Sequence, residues 1–208
     1  MANTSPWPII HDERAALADD LAGIDDAKWA TPSLCPGWTV REVLGHMTAT
    51  ARKTPVKFFA GLAGAGFRFN AMTSKDVARE VSGTPAAGLA AFRGQIGATT
   101  HPPGPIDAML GEAIVHSEDI RRPLSIAHTY PIEAVTRVAD FYKGSNLLIG
   151  TKKRIEGLTL RATDAEWSTG TGPEVAGPAL SLLLAMTGRK QPLDELSGEG
   201  VATLRSRA

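Results

Sequence analysis

In the stretch GEAIVHSEDIRRPL, residues Gly111 to Leu124, an acid, an imidazole and a second acid stand four and then three residues apart: Glu112, His116 and Asp119. On a helix turning about 100° per residue, His116 falls about 40° to one side of Glu112 and Asp119 about 20° to the other. Three groups able to bind a cation or move a proton then share one narrow arc. Met109, Val115 and Ile120 flank that arc, while Asp107, Ser117, Glu118 and Arg121 lie opposite, with Leu110 and Ile114 among them. Burying a carboxylate and an imidazole is costly unless something pairs with them. A divalent cation offsets the cost, and Glu and His one helical turn apart reach the same ion. An ordinary hydrogen bond along a helix uses the same spacing, so spacing alone leaves both readings open.

A third ligand has to come from another helix. His46, in REVLGHMTAT, is the best candidate, because it lies about two turns into a helix with a strong start signal and beside the apolar Val43 and Met47. Metal sites in helical bundles are built from side chains on facing helices. Two His and one Glu leave an open position for water or substrate, the pattern of a catalytic zinc site. Asp119 would then orient a ligand or accept a proton beside the open position, which makes it the candidate catalytic residue. His11, His101 and His128 sit near the N-terminus or in Pro-containing segments and read as surface residues. Cys35 precedes Pro36 in a loop with no base or positive charge next to it in sequence, and reads as a small structural thiol.

The elements that must position these residues are helical as far as Gly150. IIHDERAALADDLAGI has the helical repeat. ATPSLCPGWT is a loop. Thr39 and Glu42 form a capping box, with Trp38 and Val43 placed as a hydrophobic staple, which predicts a helix from Val40 to about Phe59 or Leu62, kinked or interrupted at Pro55. Further helices are predicted over about Lys75 to Ile96 with a break near SGTP, over about Pro105 to Arg122, and over PIEAVTRVADFYKGSNLLI. Beyond Gly150, GLTLRATD alternates like a strand, AEWSTGTG reads as a second short strand, and AGPALSLLLAMTGR as a short apolar helix stopped at Gly188. The tail from Lys190 reads as polar and partly mobile. The expected architecture is mainly α: a bundle over residues 1–150, then a small α+β C-terminal domain over 151–208, too poor in apolar surface to stand alone and expected to dock on the bundle and help wall a cleft.

Bulk properties narrow the function classes. Lys plus Arg number 22 and Asp plus Glu number 22, so the zero net charge gives no footprint for nucleic acid. No apolar run approaches the 20 or so residues of a membrane span, and the N-terminus lacks the build of a signal peptide. With one cysteine, no intrachain disulfide forms, and a reducing cytoplasm is the simplest setting.

Two segments together resemble a known family. PSLCPGWTVREVLGHM, Pro32 to Met47, is similar to the opening signature of the mycothiol-dependent maleylpyruvate isomerase family, and GEAIVHSEDIRRPL to its second signature. SGTGPEVAGPALSLLLAMTGR resembles, more weakly, the family's small C-terminal domain. The resemblance implies a DinB-like four-helix bundle with a divalent metal, zinc, held by His46, Glu112 and His116, and Asp119 near the active site. It also implies mycothiol, a low-molecular-weight thiol, as cofactor and a small electrophile as substrate. In the isomerase, thiolate adds to a conjugated cis double bond, the new single bond rotates, and expulsion of the thiol leaves the trans isomer; relatives transfer the thiol to electrophiles instead. Family isomerases hold carboxylates with two arginines, for which Arg68, Arg79 or Arg93 in the bundle and Arg161 or Arg189 beyond it are candidates here. The expected activity is thus a metal-dependent, thiol-using isomerase or S-transferase. The alternatives are a non-catalytic metal-binding or regulatory bundle, and a plain structural bundle, as a homodimer, whose polar triple is satisfied locally.

Overall fold

The helix that carries His46 starts where its cap dictates. In the computed structural model, which describes residues 5–146 and 149–208, the Thr39 hydroxyl accepts from the backbone N–H of Glu42, and the Glu42 carboxylate accepts from that of Thr39 at 2.8 Å, completing the capping box. The described residues form α1 (Trp7–Asp20), α2 (Val40–Ala51), α3 (Pro55–Gly64), α4 (Phe69–Glu80), α5 (Pro85–Arg93), α6 (Asp107–Arg121), α7 (Ile132–Tyr142), α8 (Thr151–Ile155), β1 (Thr159–Ala162), β2 (Ser168–Gly170), β3 (Glu174–Gly177), α9 (Ala179–Met186) and α10 (Val201–Arg207).

Of the two outcomes expected at Pro55, a kink or an interruption, the structure has the interruption: α2 ends at Ala51 and α3 begins at Pro55. The residue before a proline avoids helical backbone. Thr54 is accordingly extended, at ψ 160°, and its hydroxyl caps α3 by accepting from the N–H of Lys57. The same device recurs at Thr84 and Pro85, which separates α4 from α5.

The chain divides into two compact units, Met1–His128 and Thr129–Ala208. α7 packs on α9 and belongs to the second unit. That helix ends at Tyr142; the expected extension through Leu147 and Leu148 lies outside the described residues.

In the first unit α2 packs against α4, α5 and α6, and α6 also packs against α1. Val40, Val43, Leu44 and Met47 of α2 join Leu17, Leu21, Trp29, Phe92 and Ile120 in one core cluster, on which Trp38 also packs. Each fully buried Leu or Phe of that cluster contributes about 1.5–3 kcal/mol relative to an exposed one. Gly45 lets α4 approach closely: a Cβ there would stand 3.0 Å from Val81 Cγ1. α6 is enclosed on nearly every side, and the face read from sequence as polar is buried as well. Arg121 and Glu118 are accommodated there by ion pairs, Arg121 Nε with Asp20 at 2.7 Å and Arg122 Nε with Glu118 at 2.8 Å.

The second unit holds a sheet in the order β2-β1-β3, with β2 antiparallel and β3 parallel to β1. β3 and α8 are four and five residues long. The tail is ordered, not mobile. Ser197 exchanges both backbone hydrogen bonds with Ala176, at 2.8 Å each, and Leu193 and Leu204 are fully buried.

Candidate metal centre

α2 and α6 bring their imidazoles face to edge. The His46 and His116 ring centroids lie 5.0 Å apart at 85°. One turn further along, Glu112 of α6 meets Thr50 of α2, whose side chain hydrogen-bonds its carboxylate. The His46 ring also contacts Trp38, at 5.1 Å, and its nitrogens make no hydrogen bond among the described residues.

His116 is oriented from below. Its Nδ1 stands 2.8 Å from Asp119 Oδ2, and Asp119 is fully buried. With a carboxylate there, the Nδ1–H of a neutral imidazole donates to it, and Nε2 keeps its lone pair for a ligand. The backbone carbonyl of Asp119 accepts from the N–H of Leu34 at 3.1 Å, which ties the loop before α2 to α6. That loop is a closed turn. The Ser33 N–H donates to the Trp38 carbonyl at 2.9 Å, the Trp38 N–H to the Cys35 carbonyl at 3.1 Å, and the Cys35 N–H to Ser33 Oγ at 3.1 Å, while Gly37 takes φ 79°. The turn delivers Cys35 to the site. Its Sγ, a ring nitrogen of His116 and a carboxylate oxygen of Asp119 all lie within 4.8 Å of one another.

The sequence-predicted residues are thus brought together in two pairs. His46 faces His116, and His116 holds Asp119. Glu112 is engaged by Thr50 and faces Arg14, outside the set of converging ligand atoms. Cys35, read as structural from its local sequence, belongs to that set instead, because the neighbours that matter come from α6 and not from its own loop. Arg14 was missed altogether. Its guanidinium is buried, donates to the carbonyls of Gln95 and Ala98 at 3.1 and 2.9 Å, and faces Glu112. Its signal was present: Ile10, Arg14, Leu17 and Leu21 form one stripe at helical spacing, with a charge where the pattern asks for an apolar residue. Of the bundle arginines proposed from sequence, Arg68 donates to the carbonyl of Ala65 at 3.4 Å, Arg79 lies 3.4 Å from Asp76 and Arg93 donates to the carbonyl of Ala18 at 3.3 Å. His128 is also not a bare surface residue, since its Nε2 meets Glu13 at 2.8 Å.

Burial shifts two of these groups in opposite directions. Burial, helped by His116 and Lys53 and opposed by Asp119, holds His46 down at about 3 against an ordinary 6.5, so its imidazole is neutral and its lone pairs available near pH 7. Burial pushes Glu112 up to about 8 against an ordinary 4.5, with Arg14 and the Thr50 hydrogen bond opposing. These shifts have opposite pH consequences in chelator-treated protein. Glu112 is raised on folding, so its contribution is lost as pH rises from 4.5 to about 8; His46 is depressed, so its contribution is lost as pH falls from 6.5 to about 3. The two slopes cancel between 4.5 and 6.5. Urea unfolding across pH is expected to give a plateau there with stability falling on both sides, and Glu112→Gln is expected to flatten the alkaline side. An alkaline slope unchanged in that variant would disprove the assignment.

An imidazole pair, a carboxylate oriented on one ring and a further carboxyl are carried by facing helices of a bundle with the DinB-like fold. Residues 10–101 match the family model described as the mycothiol maleylpyruvate isomerase N-terminal domain. Cys35 and His46 lie inside the matched segment, and Glu112, His116 and Asp119 beyond it. Two solved structures share the fold: mycothiol-dependent maleylpyruvate isomerase, at TM-score 0.58, and a histidine-to-alanine mutant of it, at TM-score 0.60. Each is 13% identical, and each alignment covers 93% of this chain and 91% of that chain. No curated protein matches the chain in sequence. No helix among the described residues is long and apolar enough to cross a membrane.

Proposed function

We propose that this protein is a metal-dependent enzyme that uses a low-molecular-weight thiol, mycothiol, to isomerise or S-conjugate a small electrophile. The observation that carries the reading is the His46–His116 pair, two imidazoles from facing helices at 5.0 Å, one free of hydrogen bonds among the described residues and the other held by a buried carboxylate. The donor chemistry fits zinc: His46 and His116 offer nitrogens, and Glu112, one turn before His116, offers an oxygen when it leaves Thr50. A divalent cation bound there would lower the pKa of a thiol ligand and keep it as thiolate at neutral pH. The chain's own residues do the rest. Asp119 holds the ring of His116 and can take up a proton at Oδ2. Trp38 shields one side of His46 from water. The Arg14 guanidinium, facing Glu112, supplies a fixed positive charge that suits an anionic substrate group. A reducing cytoplasm, where a thiol cofactor stays reduced, is the compartment this chemistry suits.

The reading is tested on purified protein by elemental analysis, then by turnover of a conjugated cis-dienoate and of a thiol-reactive electrophile with mycothiol present. About one zinc per chain and thiol-dependent turnover that chelator abolishes are expected. Metal without turnover of either substrate would leave a binding protein; no metal, and no thermal stabilisation by added zinc, would remove the metal reading.

A further inference from the structure

We propose that Cys35 is a protein ligand of the cation, taking the fourth place beside His46, Glu112 and His116. The inference rests on the metal reading above and goes beyond it, since that reading leaves the fourth place open. Two observations carry it independently. First, the Cys35 sulfur, a His116 ring nitrogen and an Asp119 oxygen lie within 4.8 Å of one another. Two ligands of one tetrahedral zinc, at ordinary Zn–S and Zn–N lengths, stand about 3.5 Å apart, so a small closure brings sulfur and nitrogen onto one ion. Second, the His46 ring stands edge to face with that of His116, centroids 5.0 Å apart, and makes no hydrogen bond among the described residues.

The loop geometry makes this position a built one. Hydrogen bonds within Ser33–Trp38, those of the Ser33 hydroxyl to the Cys35 and Trp38 carbonyls among them, stand behind it, with one from the Leu34 N–H to the Asp119 carbonyl. The backbone around Cys35 is therefore fixed to the same helix that carries His116. On coordination the S–H bond breaks, the proton passes to solvent, and the sulfur electron pair forms the metal–sulfur bond; nothing is oxidised or reduced. A site closed by four protein ligands differs from one kept open for water or substrate. The resting protein then presents its own sulfur where an outside thiol has to bind.

The test uses cobalt(II) in place of zinc in the full-length protein. The wild type is expected to bind about one cobalt and to show a near-ultraviolet sulfur-to-cobalt charge-transfer band. Cys35→Ser and Cys35→Ala are expected to lose that band and to bind cobalt at least about tenfold more weakly, with unchanged far-ultraviolet dichroism in chelator. A second measurement needs no variant: alkylation of Cys35 in zinc-loaded protein is expected to be slow and to accelerate when the zinc is chelated. Cobalt bound without the band, or bound equally well by both variants, would overturn the proposal and leave the metal reading intact. A wild type that binds neither cobalt nor zinc would overturn both.

Discussion

Alanine in place of His116 is expected to strip the protein of its cation while leaving the bundle folded. His116 is the residue on which the site turns: it faces His46 at 5.0 Å and is oriented by Asp119 at 2.8 Å. Removing an outer partner of a metal ligand costs about 10–100-fold in affinity. Asp119→Asn is therefore expected to lose affinity by that factor, and His116→Ala, which removes the ligand itself, by more. The loss has a second readout. A ligand present at about 100 times its Kd stabilises the folded state by about 2.7 kcal/mol, so added zinc should raise the melting temperature of the wild type and not that of His116→Ala. His116 is half-buried, and its removal leaves Asp119 without the Nδ1–H it faces. The chelator-treated variant is expected to lose some stability but to unfold cooperatively. Equal zinc affinity in wild type and His116→Ala would refute the site.

The second large effect lies on the far side of the same helix. Arg121 is fully buried, with its Nε 2.7 Å from Asp20 Oδ2 and its Nη1 3.8 Å from Glu13 Oε2; His128 completes the group on Glu13. Breaking a buried pair by removing one partner costs about 3–5 kcal/mol, because the other charge stays buried. Arg121→Met keeps the volume and removes the charge, and should destabilise the protein by that amount in urea unfolding. Burial already raises the Glu13 carboxyl, and Arg121 and His128 oppose that rise. The double variant Arg121→Met with Glu13→Gln is therefore expected to recover part of the loss. A single-variant loss below about 1 kcal/mol would show that the pair contributes little. Against a total stability of about 5–15 kcal/mol, the expected loss is a large fraction.

These two cases show how far the sequence alone reached. The capping box at Thr39, the breaking power of Pro55 and Pro85 and the shared arc of Glu112, His116 and Asp119 are local signals, and local signals are legible. His46 was found because it lies two turns from a strong cap, and the resemblance supplied the pairing of the two helices. What remained hidden depends on partners distant in sequence. Nothing beside Cys35 in the loop reveals that Leu34 bonds to residue 119. A buried Arg121 looks like a surface residue until Asp20, 101 positions away, is placed next to it. The tail read as mobile from its glycines and charges, yet Leu193, Leu196 and Leu204 anchor it, three apolar residues too widely spaced for any short periodicity.

Gly45 and His46 are adjacent in sequence, and their side chains leave α2 about 100° apart. On one side the missing Cβ of Gly45 lets Val81 sit where a methyl group would touch it at 3.0 Å; on the other the imidazole meets α6. Any rotation of α2 that improved one contact would spoil the other. The orientation of the His46 ring is thus set by the packing of α2. On the metal reading proposed above, an ion that prefers a wider or six-coordinate shell would recruit no further ligand by rotation of the helix, and would be disfavoured for mechanical reasons.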